Sequence, residues 1–82
     1  MLYLFKAIEL AQDGNPHDFK FVAKGSEENN RKGGDIVEMK QAVVTSSNNE
    51  LQKLNLKSTI SGEKRWMYYV LLLEFDGQEI FL

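Results

Sequence analysis

The chain has 82 residues, 43% of them hydrophobic and 27% charged, with a net charge of −2, one histidine and no cysteine. Those figures leave room for one domain, spanning 1–82, around one core, and they exclude disulfide staples and a thiolate zinc site. A mildly acidic balance also argues against a protein that coats duplex DNA, because such domains are strongly basic.

Leu2–Leu10 fits two periods. Extended, it puts Leu2, Leu4, Ile8 and Leu10 on one face, broken by Lys6. Helical, it lines up Leu4, Ala7, Ile8 and Ala11, and Asp13-Gly14-Asn15-Pro16 would end it. Tyr3, Phe5 and Ile8 favour extended chain and no N-cap residue precedes them, so the strand is the preferred reading. Pro16 then forces Asn15 out of the α region, which marks a turn. In Phe19–Lys24, Phe19, Phe21 and Ala23 alternate with Lys20, Val22 and Lys24. That is a half-buried strand, expected to form a hairpin with the first segment.

Residues 25–34 contain no large apolar side chain and are expected to be a mobile polar loop. The β pattern resumes over Asp35–Val44, with a change of apolar phase between Met39 and Val43 that predicts a bulge. Ser47-x-x-Glu50 has the form of a capping box, so a short helical turn is expected near 48–53. A strand follows to about Ile60, and Ser61–Lys64 turns the chain into Trp66–Phe75. That last run holds one charge and no polar alternation. It is expected to be covered on both sides or to present an interface, and to bend so that it serves two parts of the fold. Asp76-Gly77 suits a two-residue type I′ turn into Gln78–Leu82. A two-residue loop would set Glu74 opposite Glu79, which is mildly unfavourable and speaks for a longer one.

The fold class is therefore mainly β: a small single-domain antiparallel sandwich or barrel of about six strands. No apolar run approaches the roughly 18 residues of a membrane-spanning helix. Met1–Lys6 lacks the basic region and cleavage site of an export signal. A soluble, cytoplasmic protein with no membrane partner is expected.

Chemistry is sparse in this sequence. His17 has Asp18 beside it but no activated nucleophile, and reads as a solvent-facing loop residue. The carboxylate pairs Glu27-Glu28, Asp35 with Glu38, and Asp76 with Glu79 sit in loops or beside turns, where solvation explains them. Arg31-Lys32-Gly33-Gly34 lacks the Walker pattern. No catalytic residue, cofactor or metal is assigned, and the chain is read as a non-enzyme.

Two binding surfaces are expected. The first is protein association, with a partner or as a homodimer, through Trp66, Tyr68, Val70, Leu72 and Phe81. The second, an alternative, is single-stranded nucleic acid held by Lys53, Lys57, Arg65, Trp66 and Tyr68, with the aromatics stacking bases.

Overall fold

Leu4, Ala7, Ile8 and Ala11 follow helical spacing, and all four are buried along a single helix, α1 (Leu4–Ala11). The computed structural model describes residues 1–23 and 35–81; the loop expected at 25–34 lies outside the described residues. The strand expected over Leu2–Leu10 is thereby corrected. Only Leu2–Tyr3 (β1) is extended, and the hairpin with the next segment does not form. A strand burying Leu4 and Ile8 would have driven Lys6 into the core between them, whereas the helix buries the same two side chains, worth about 2 kcal/mol each, and leaves Lys6 exposed. The helix ends at the Asp13–Pro16 turn signal that the helical alternative would require. Gln12 and Asp13 donate their N–H groups to the Glu9 and Leu10 carbonyls, and Gly14 turns the chain away with φ +87°.

Six further strands follow: β2 (His17–Ala23), β3 (Asp35–Asn48), β4 (Lys53–Ser58), β5 (Lys64–Tyr68), β6 (Leu72–Phe75) and β7 (Gln78–Phe81). The described residues form one sheet in the order β1-β7-β6-β2-β3-β4-β5. Every pair is antiparallel except β1 with β7. β2 also touches β5, which lies three places away in that order, so the sheet rolls around its own core. Phe19, Phe21, Met39, Ala42, Leu54, Leu56, Met67, Tyr69, Leu72 and Phe75 line the inside, and α1 packs its apolar stripe into the same cluster. The mainly β expectation is met by a single rolled sheet.

Local devices shape the roll. Gln41 has φ 52° and interrupts the register between β2 and β3, where the apolar phase change predicts a bulge. Its N–H donates to Asp18 Oδ1 at 3.0 Å, and its carbonyl accepts from the Thr59 N–H at 2.9 Å and the Thr59 hydroxyl at 2.6 Å. At 48–53 the chain makes a hairpin turn rather than a helical one. The Asn48 side chain, not Ser47, accepts the Leu51 N–H at 3.1 Å, and β3 continues to Asn48.

The Trp66–Phe75 run bends as expected. A single 3₁₀ turn, Tyr69–Leu71, splits it into β5 and β6, which pair on opposite sides of the sheet. Tyr69 holds that break in place. Its N–H donates to the Gln52 carbonyl at 2.8 Å and its hydroxyl to Asn49 Oδ1 at 3.0 Å. Burial also pushes the Tyr69 phenol above its ordinary pKa.

Asp76 (φ 49°) and Gly77 (φ 80°) form the two-residue turn, and Glu74 does face Glu79. The Lys20 ammonium, 3.1 Å from Glu74 on the neighbouring strand, offsets only part of that repulsion. Replacing Glu79 with Thr should therefore raise stability by about 0.5 kcal/mol. A urea titration of Glu79→Thr checks it; an unchanged midpoint would show that Lys20 already cancels the repulsion.

Candidate binding face

Register decides which side chains share a surface. Lys53 lies opposite Tyr68, Asn55 opposite Trp66, and Lys57 opposite Lys64, while Leu54 opposite Met67 points inward. The outer side of β4 and β5 thus carries Lys53, Asn55, Lys57, Lys64, Trp66 and Tyr68. The Lys53 ammonium sits 4.5 Å from the centroid of Trp66 and 5.8 Å from that of Tyr68. This is a cation held over two aromatic faces. Trp66 remains 46% exposed.

Four of the five residues of the nucleic-acid reading, Lys53, Lys57, Trp66 and Tyr68, come together here. Arg65 does not. It has the opposite parity to Trp66, faces Leu56 across the ladder and pairs with Glu63. Lys64 occupies the outer position instead. Parity alone identifies it, since Lys64, Trp66 and Tyr68 alternate with Arg65 and Met67.

The five residues of the association reading divide. Trp66 and Tyr68 lie on the outer face, and Val70 stands 62% exposed on the 3₁₀ turn that follows. Leu72 is buried at 4% exposure opposite Phe21. Phe81 belongs to β7, toward the other edge of the sheet, where its ring lies 5.7 Å from that of Tyr3. Leu73, beside Leu72, is exposed. The segment is therefore not covered on both sides. Met67, Tyr69, Leu72 and Phe75 form a buried side, and Trp66, Val70 and Leu73 face water.

The other polar candidates are placed as follows. Glu27-Glu28 and Arg31–Gly34 lie outside the described residues. Asp35 and Glu38 are exposed on β3. A shallow depression of about 200 Å³ is lined by Asp18, Lys20, Glu38, Lys40 and Glu74, with Phe19 and Gly77. Charges of both signs meet there, and Lys20 is already engaged by Glu74 and Glu38. Among the described residues no three His, Asp or Glu side chains are grouped to hold a metal, and no helix is long and apolar enough to cross a membrane.

His17 is not the solvent-facing loop residue expected. It opens β2, and its side chain is only 14% exposed. Its ring lies against Phe75, 4.8 Å between centroids, with Phe19 edge-on at 6.5 Å.

Comparison with family models, with curated proteins and with solved structures finds no match for this chain.

Proposed function

We propose that the chain is a non-enzymatic binding module that associates with a protein partner through β5 and the turn after it. The observation that carries this is the exposure of Trp66 and Val70, whose neighbours Met67 and Tyr69 are buried. Large side chains left in water beside a well-filled core are the usual anchors of an interface. Among the described residues β5 also ends the sheet, and the edge of such a strand can receive an extended segment. A second copy can supply that segment. Antiparallel pairing centred on Trp66 would set Lys64 of one protomer against Tyr68 of its partner and keep the lysines apart.

A second reading rests on its own observation. Lys53, Lys57 and Lys64 flank Trp66 and Tyr68 on adjacent strands, and no carboxylate shares those outer positions. Such a face suits single-stranded nucleic acid, with phosphates on the lysines and bases on the rings.

One set of measurements separates the two. Light scattering across a concentration series is expected to show a dimer, and Trp66→Ser with Val70→Asp to weaken it by about 100-fold. A strict monomer at the highest concentration would remove the homodimer. Salt-sensitive quenching of Trp66 by an oligonucleotide, with no dimer, would favour the second reading.

A further inference from the structure

His17 Nδ1 lies 2.7 Å from Asp76 Oδ2, and His17 Nε2 lies 2.9 Å from Asp13 Oδ1. A neutral imidazole carries one N–H, so it can donate to only one of these carboxylates; the imidazolium donates to both. The carboxylates belong to separate parts of the chain. Asp13 follows the end of α1, and its Oδ1 also accepts the Asn15 N–H at 2.9 Å. Asp76 sits in the β6–β7 turn. Its Oδ1 accepts the Asp18 N–H at 2.8 Å and its own N–H donates to the Asp18 carbonyl at 2.8 Å.

We propose that Asp13, His17 and Asp76 form a proton-operated clasp, which ties the end of α1 and the β6–β7 turn to the start of β2 while the ring is an imidazolium and loosens when the ring loses its second proton. The ring is held at both nitrogens and against Phe75. Asp13 and Asp76 face its two nitrogens, Phe75 and Phe19 cover its carbons, and Asp18, the acidic neighbour on its own strand, is turned away toward the Gln41 N–H. Loss of the proton sets a lone pair against a carboxylate at one of the two contacts. The clasp then releases either the helix end or the turn.

The titration of the groups agrees in sign. Partial burial by itself opposes a charge on His17, but the hydrogen bonds and charges of Asp13 and Asp76 outweigh it and raise the ring above 6.5. A raised folded value means that the stabilisation is complete below 6.5 and is lost as pH rises through the folded pKa. The Asn15 N–H, and after it His17, lower Asp13 below 3.8. Its contribution is present above 3.8 and fades as pH falls through the lowered value. The clasp is closed between these limits and opens on the alkaline side.

His17 is the single histidine, so its ring proton resonance reports the clasp directly. An NMR titration should place the His17 pKa above 6.5, with Asp13→Asn and Asp76→Asn each lowering it. Asp13 lies at the surface, and Asn tolerates the positive φ at 76, so both variants should fold. Thermal melts of the wild type should show a fall in stability across the His17 titration, and His17→Gln should lose that step. Protection of the Asp18 and Asp76 amides, corrected for the intrinsic rise of base-catalysed exchange, should fall above the same pKa. A His17 pKa at or below 6.5, unmoved by both Asp substitutions, would overturn the clasp. So would a stability profile of His17→Gln identical in shape to that of the wild type.

Discussion

Phe21→Ala is expected to remove most of the stability of this protein. Phe21 is 1% exposed, at the centre of the roll, flanked by Val37 on β3 and Leu72 on β6. A Phe→Ala substitution at such a site costs about 3–5 kcal/mol, combining lost transfer energy with the cavity left behind. A domain of this length has a total margin of about 4–12 kcal/mol. No disulfide is present to limit the unfolded state, since the chain has no cysteine. The variant should unfold in low urea, or be unfolded at 37 °C, while Phe21→Leu should lose about 1.5 kcal/mol or less. Chemical denaturation followed by circular dichroism checks both. A loss under about 1 kcal/mol for Phe21→Ala would mean that the rolled sheet does not close over this ring.

Ala7→Asp is expected to be as damaging, and it also discriminates between the two readings of the first segment. Ala7 is 0% exposed on the inner side of α1. A carboxylate there would have to be buried without a partner or push the helix off the sheet, at a cost of several kcal/mol. Had residues 2–10 formed a strand with Leu4 and Ile8 inward, Ala7 would share the outer side with Glu9, and an added acid would be nearly neutral. Ala7→Ser provides a milder control, and Phe5→Asp, on the exposed side of α1, should change stability little. Urea midpoints of the three variants, compared with wild type, test the placement of α1.

Those two substitutions mark where sequence reading succeeds and where it stops. In β2 and β4 the polar residues interrupt the apolar ones at every second position, so Phe19, Phe21, Leu54 and Leu56 were legible as inward-facing. The bulge at Gln41 was legible for a related reason: a change of apolar phase on one strand requires an extra residue. Residues 4–11 make up a segment too short for either period to win by itself. Packing of α1 against β7 and the 3₁₀ turn decides it, and that packing overrides the extended preference of Tyr3 and Phe5.

The candidate face was half legible. Trp66 and Tyr68 could be assigned to one side by parity, and the same parity separates Arg65 from them and adds Lys64. Between Tyr69 and Phe75 there was no phase to read, because a run with almost no polar residues looks the same in either register. The tether of Tyr69 to Gln52 and Asn49 sets the break, and with it the burial of Leu72 and the exposure of Val70 and Leu73. Nothing local announced that Asp76, 59 positions away, would meet His17.

By itself the sequence determined the mainly β class, the presence but not the length of the turn at Asp76-Gly77, the inward residues of the alternating strands and the break in the chain near Gly14. Each depends on backbone preferences or side-chain spacing within a few residues, so neighbours along the chain suffice to express it. The rolled sheet, the helical state of residues 4–11, the split between β5 and β6 and the enclosure of His17 by two carboxylates were decided only by tertiary structure. These depend on contacts between distant parts of the chain, whose loop-closure cost is met only when the whole core assembles.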